Sequence, residues 1–285
     1  MKDRIKILVC AHKKDEHTRT EAPYFPIQVG KALHPDLDLG FTCDNTGDNI
    51  SEKNASWCEL TALYWGWKNI HDVDYLGLNH YRRYFKTPDI EKTIDEYLCE
   101  GGKPYDIIVA KNPDNLSDHQ RMTDLIGVTS TEDAYLFADS FLSLYPQYHD
   151  AFLHYFYHSR KSYPFQLFIA SKQLYDEYCA FMFPVLELFE QRSKPHGYTR
   201  QKRVVGYLAE YFLGLFIECR HLRAKAIEVE NFSLSKPGSP VKRFIKRIPY
   251  ILVDIVYKRP KTINIPDAVK VGFKADGIAM RYLEA

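Results

Sequence analysis

The chain has no C-x-x-C pair among its six cysteines, so neither a zinc ribbon nor a thioredoxin-type redox motif is present. It has no G-x-G-x-x-G and no G-x-x-x-x-G-K-[ST], which counts against dinucleotide oxidoreductases and P-loop kinases. It has no G-x-S-x-G elbow, which disfavours a serine hydrolase of that type. No apolar run approaches the length of a bilayer-crossing helix. Excess charge is missing too: the formal net charge is +1, and nothing suggests a generic nucleic-acid binder. The start, Met1 to Ile5, is charged and then only briefly apolar, which reads as a first strand rather than a signal peptide. Cys10 and Cys43 in strand-like runs and Cys58 in a helix read as reduced thiols, and the expected location is cytoplasmic.

What remains is 285 residues, enough for one large domain or two small ones, with 45% hydrophobic and 26% charged residues. Twenty-one tyrosines suit a sugar-binding cleft, although Tyr is equally a core and interface residue. Ile5–Ala11 is a near-continuous apolar run, as in a central parallel strand. Leu39–Cys43, Asp74–Leu78, Tyr105–Ala110, Gln166–Ala170 and Ala224–Val229 read as further strands. Helices are expected over about Cys58–Ile70, from Thr131, over Leu174–Gln191 and over Val204–Glu218. Strand–helix alternation predicts an α/β fold: a mainly parallel, Rossmann-like sheet flanked by helices, with a helical second half. The expected domain spans residues 1–234. Residues 235–285 form a C-terminal extension, with a linker over 235–240. In 241–259 basic and apolar residues alternate. That segment reads as an element resting on an anionic membrane, or as a helix packed on the body or a dimer contact.

The chemistry-bearing residues follow strand ends. Ile5–Ala11 stops at His12-Lys13-Lys14, and Asp74–Leu78 runs into Asn79-His80-Tyr81-Arg82-Arg83. In an open α/β sheet, ligands bind outside the carboxyl ends of the strands. Guanidinium groups match phosphate oxygens in a bidentate way. The loop after the second strand carries Asp48, Asn49, Lys53 and Asn54. His12, Lys13, Lys53, His80, Arg82 and Arg83 would hold a diphosphate, while Asp48 and Asn49 would read sugar or ribose hydroxyls. Adjacent arginines also read as a solvated edge, and a lone His as a structural hydrogen bonder. No Asp-x-Asp closes the third strand, so fixed cations would take the place of a divalent ion at the leaving group, and no metal cofactor is expected. Asp44 and Asp48 stay open as ligands for a hard cation. Inverting glycosyl transfer needs a carboxylate base. Glu210, in an otherwise apolar helix, is the first candidate and Asp133 the second, ahead of Glu132, Asp48 and Glu59. A salt bridge for Glu210 and a helix-start role for Asp133 are the plain alternatives.

Several segments carry a resemblance. They are Ile7–Lys13, Pro26–Gly30, Asp48–Asn54 running into Glu59–Asn69, Gly77–Phe85, Tyr105–Ile108, Glu132-Asp133, Phe168-Ile169, Tyr178-Cys179 and Arg203–Glu210. In these the chain resembles a bacterial capsular polysaccharide and O-antigen glycosyltransferase family, long catalogued as a domain of unknown function, with galactofuranosyltransferase members. The resemblance runs to about Glu218. It implies a GT-A-like domain, a UDP-sugar donor with UDP-galactofuranose foremost, and a lipid-linked glycan acceptor at the inner membrane face. Asn79 stands where that family usually has Cys, Gln166-Leu167 where it has Asn-Met, and Tyr211 where it has Arg. Ser130 and Thr131 lie where a His pair often precedes the Glu-Asp region. These departures motivate a rival reading, a catalytically degenerate glycan-binding or scaffold protein. A nucleotide-sugar phosphorylase or hydrolase is a further option.

Overall fold

The computed structural model describes residues 4–99, 105–112, 121–159, 161–194, 201–233 and 260–283. The linker and the basic segment expected at 235–259 lie outside the described residues. The chain divides into two compact units. The first holds residues 1–111, 163–180 and 221–234; the second holds 112–162, 181–220 and 235–285.

All described strands belong to the first unit. They are β1 (Ile5–Ala11), β2 (Tyr24–Gln28), β3 (Thr42–Cys43), β4 (Tyr75–His80), β5 (Arg83–Phe85), β6 (Ile107–Ala110), β7 (Phe168–Ser171), β8 (Ala224–Ile227) and β9 (Val229–Asn231). The main path runs β3-β2-β1-β4-β7-β6-β8. Every neighbouring pair on it is parallel except β4–β7 and β7–β6, so the sheet is mostly parallel. β5 and β9 form an antiparallel ribbon attached to the end of β4. β1 and β4 are apolar on both faces because helices cover both: Ile7, Leu8, Val9, Leu76 and Leu78 have no exposure. The helices assigned to this unit are α1 (Asn54–Trp57), α2 (Leu60–Asn69) and α3 (Ile90–Leu98). The Asp89 side chain caps α3 by accepting from Lys92 N at 3.1 Å.

Several boundaries differ from the sequence reading. The strand beside β1 is β2, not Leu39–Cys43, of which only Thr42 and Cys43 pair. β2 contains Pro26, which cannot donate to a ladder and so masks the strand signal. The helix expected over about Cys58–Ile70 is α2; a short α1 precedes it, separated by Cys58 at φ 53°. β7 begins at Phe168 and runs antiparallel. The last expected strand divides into β8 and β9. β5 was not expected at all; it is short, and its first residue is one of the two adjacent arginines.

The second unit is helical: α4 (Arg121–Val128), α5 (Thr131–Leu144), α6 (His149–Leu153), the later part of α7 (Lys172–Arg192), α8 (Val204–Cys219) and α9 (Asp267–Asp276). Ser130 Oγ caps α5 by accepting from Asp133 N at 3.0 Å, and Glu132 and Asp133 add favourable charge to its first turn. Phe137, Phe141, Phe152, Phe156 and Phe212 pack against one another with centroid distances of 4.4–6.2 Å. Truncating one such buried ring typically costs ~3–5 kcal/mol. Asp139, with no exposure, accepts from Arg192 Nη2 at 2.6 Å and from the backbone N–H groups of Arg281, Tyr282 and Leu283. This carboxylate fastens residues 281–283 to the unit.

Candidate active site

β1, β2, β3, β4 and β6 run parallel, so Ala11, Gln28, Cys43, His80 and Ala110 end on one edge of the sheet. The loops beyond that edge carry the expected donor-site residues. His12 and Lys13 follow β1 directly and are exposed. The His12 ring meets Tyr81 edge-on at 5.3 Å, which joins the loop after β1 to the turn after β4.

The loop after β3 is built around Asp44. This buried carboxylate accepts from Gly30 N (2.8 Å), Lys31 N (3.1 Å), Ser51 Oγ (2.5 Å) and Thr61 Oγ1 (2.6 Å). Its oxygens are therefore committed to tying the loops after β2 and β3 to α2. Asp48 is exposed and accepts from Tyr64 Oη at 3.2 Å. Asn49 donates to Gly47 O at 2.9 Å and accepts from Ser51 N at 3.2 Å, so its amide shapes the turn. Asn54 donates to Cys58 O at 2.7 Å and Thr61 Oγ1 at 3.0 Å. Lys53 holds its ammonium 4.8 Å from the Trp57 ring centroid. Gly30 (φ 69°) backs onto this cluster: a Cβ there would meet Asn54 Oδ1 at 2.6 Å. Among the described residues no group of three or more His, Cys, Asp or Glu side chains is arranged to hold a metal ion.

His80 Nε2 lies 2.8 Å from Phe165 O. Arg83, the first residue of β5, lays its guanidinium 4.3 Å from the Phe165 centroid. Its Nε is buried without a hydrogen-bond partner among the described residues. Arg82 points elsewhere: Nε donates to Asp15 Oδ2 at 2.7 Å, and Nη2 contacts the same oxygen. The Arg82 side chain keeps 32% exposure and Asp15 only 6%. Asp15 also accepts from His17 N at 3.0 Å. Hydrogen bonding from Arg82 holds the Asp15 carboxyl below its ordinary value, against a smaller opposing effect of desolvation. The same bond raises the Arg82 pKa. Asp15 was not singled out from sequence. It sits within His12-Lys13-Lys14-Asp15-Glu16, where nothing marks one acid as the partner of a distant arginine.

Asp15 is the first contact of a strap. Alternate residues of the segment leaving β1 touch the β5–β9 ribbon and the residues just beyond it: Asp15 meets Arg82, which precedes β5, and His17 meets Phe232, which follows β9. Next, Arg19 lies 4.4 Å from the Tyr84 centroid and 3.5 Å from Glu230. Arg19 N donates to Tyr84 Oη at 3.0 Å, and that hydroxyl donates to Tyr81 O at 3.2 Å. Burial pushes the Tyr84 phenol up to about 12, so it stays a neutral link.

The two expected bases lie in the second unit. Asp133 is buried in the first turn of α5, beside a cavity of ≈ 30 Å³ shared with Ser130, Glu132, Lys194, Phe273 and Asp276. That volume suits about one water and no sugar. Glu210 is half-buried on α8, while Arg203 at the start of that helix is exposed, its guanidinium 6.0 Å from the Tyr207 centroid. Burial raises the pKa of the neighbouring Tyr211 phenol. Of the departures noted in the sequence, Asn79 and Gln166 are completely buried, and Tyr178 Oη donates to Gln166 Oε1 at 2.8 Å. Both side-chain polar atoms of Asn79 are buried without a hydrogen-bond partner among the described residues.

A family described as a domain of unknown function, DUF4422, matches residues 6–221. In three dimensions the chain is similar to the apo structure of WbbM, a bifunctional glycosyltransferase, with 25% sequence identity and a TM-score of 0.71. The match covers 84% of this chain and 48% of that one, so this chain spans about half the length of that protein. No curated protein matches the sequence.

Proposed function

The chain belongs to the DUF4422 family, and on that premise we propose that it is a glycosyltransferase using a nucleotide-sugar donor. The observation that supports this most is the cationic edge at the carboxyl ends of β1 and β4. There an Arg82 guanidinium held by Asp15 stands in the same row of loops as His12, Lys13 and His80. Likeness in fold to a glycosyltransferase supports the reaction class.

In the mechanism we propose, Arg82 offers its remaining N–H groups to the donor diphosphate. His12, Lys13, Lys53, His80 and Arg83 supply the rest of the positive field. As the bond from the anomeric carbon to the diphosphate breaks, negative charge grows on the departing oxygen, and cations already in place stabilise it without reorganising. Asp48 and Asn49 read donor hydroxyls, and Asn54 lines the donor site from the same loop, which its amide also braces. A carboxylate removes the acceptor hydroxyl proton as that oxygen attacks from the opposite face, which inverts the centre. Glu210 is the proposed base and Asp133 the alternative. The reading extends to UDP-galactofuranose as donor, a lipid-linked glycan of capsule or O-antigen synthesis as acceptor, and independence of divalent metal. Work at the inner membrane face is part of the same proposal. For the membrane itself, no helix among the described residues is long and apolar enough to cross one.

The deciding experiment is a screen of nucleotide sugars for UDP release, with and without acceptor glycan and with and without chelator. Release that needs a sugar acceptor and survives chelation is expected. Binding without turnover across the panel would favour the scaffold reading, and release to water or phosphate would indicate a hydrolase or phosphorylase.

A further inference from the structure

The strap and the ribbon close a circuit around Arg82. Arg82 binds Asp15, and Asp15 accepts from His17 N. The His17 ring lies flat on the Phe232 ring, with centroids 4.3 Å apart and planes at 11°. Phe232 N in turn donates to Arg82 O at 2.9 Å. Phe232 is nevertheless 43% exposed, one of the few large apolar side chains left open among the described residues. One face of this ring is backed by an imidazole, its backbone is fastened to the residue that carries the guanidinium, and much of the ring still meets water.

We infer that Phe232, backed by His17, is a stacking platform for a hexose ring. This rests on the reading that Arg82 holds the donor diphosphate. Three features of the circuit point to a sugar. A flat ring offers dispersion and apolar burial to the C–H face of a pyranose or furanose. Arg82 lies opposite it on the ribbon, and the exposed Glu16 carboxylate stands 3.7 Å from the His17 ring, charged groups that suit hydroxyls and discourage an apolar partner. Its backbone bond to Arg82 places it beside the diphosphate group, and the rings nearest a sugar diphosphate are sugars. The nucleobase lies one ribose further away. Stacking on His17 and the bond to Arg82 fix the platform before ligand arrives, so little side-chain entropy is lost on binding. Two sources could supply the hexose: the donor's own sugar, or the terminal sugar of the acceptor.

The test compares wild type, Phe232→Ala, Phe232→Trp and Arg82→Ala. Calorimetry with UDP and UDP-galactofuranose measures donor affinity; saturation-transfer NMR with methyl β-galactoside probes the acceptor source. Thermal melting confirms folding, which substitution of an exposed ring should not disturb. Phe232→Ala is expected to leave UDP affinity within about 2-fold of wild type, and Phe232→Trp to restore what Phe232→Ala loses. A roughly 10-fold loss confined to UDP-galactofuranose assigns the platform to the donor sugar; lost saturation of the methyl galactoside assigns it to the acceptor. If both sugar probes behave as in wild type, or if UDP alone weakens as much as UDP-galactofuranose, the platform assignment is overturned. Failure of the donor reading looks different: wild type would not bind UDP, or Arg82→Ala would bind it equally well. The methyl galactoside arm would then decide the platform alone.

Discussion

Arg82 and Asp15, 67 residues apart in sequence, meet at 2.7 Å, joining the segment after β1 to the turn after β4. The carboxylate is almost wholly buried and the guanidinium is not, so Asp15 anchors and Arg82 presents. Arg82→Ala is predicted to lower kcat by ~10²–10³, the usual cost of removing a preorganised donor to a developing anion. Its melting temperature should move little by comparison. Turnover and thermal unfolding, measured on one preparation, check this; near-normal transfer would mean the site is elsewhere.

Asp15→Asn keeps the shape and removes the charge. Asp15 has a depressed pKa in the fold, so its ion pair contributes stability above the unfolded value of about 4. That contribution is lost as pH falls through the lower folded value. The stability gap between wild type and Asp15→Asn should therefore be full at pH 6–7 and shrink as pH falls below the unfolded value of about 4. Denaturant titrations across that range measure it; a gap independent of pH would show that the pair contributes nothing through charge.

The clasp at Asp139 predicts a large stability effect within the second unit. Asp139→Ala removes the charge partner of the Arg192 guanidinium, which keeps only its neutral acceptors Ser140 Oγ and Ala279 O, and strands three backbone donors. Breaking a buried pair in this way costs about 3–5 kcal/mol. Chemical denaturation should show that loss, and amide exchange at 281–283 should accelerate. Unchanged exchange there would contradict the clasp.

Gly30→Ala tests the scaffold under the second loop. Its φ of 69° disfavours an L side chain, and the added methyl would press on Asn54 Oδ1. A loss of about 1–3 kcal/mol is expected, with weaker UDP binding because the Asp44-centred loops shift together. Calorimetry on the purified variant would show whether the two losses occur together.

For the base, Glu210→Gln should lower kcat by ~10²–10⁴ and leave UDP affinity near wild type. Asp133→Asn should act mainly on stability, since its cavity is too small for a sugar. If Asp133→Asn abolishes transfer while Glu210→Gln does not, the two roles exchange.

Much of this was legible in the sequence because strand ends announce themselves. The Ile5–Ala11 run stops at His12, and the run from Tyr75 stops at His80 and Arg82, so the cationic edge could be read before any fold was known. Pairings between distant residues could not. Nothing local links Asp15 to Arg82 or His17 to Phe232, and β2 hid behind Pro26. The Asn49 and Asn54 amides also hydrogen-bond within their own loop, a side-chain-to-backbone bonding that composition does not reveal. Complete burial, with both amide atoms unpartnered among the described residues, is a property of Asn79 that its sequence position does not announce.

Titrating UDP into wild type and Arg82→Ala by calorimetry, with EDTA present throughout, tests the cationic edge most directly. Wild type should bind without metal, and Arg82→Ala should bind at least about 10-fold more weakly, a difference of roughly 1.4 kcal/mol. Binding by wild type that appears only when Mn²⁺ or Mg²⁺ is restored, or equal binding by the two proteins, would contradict it.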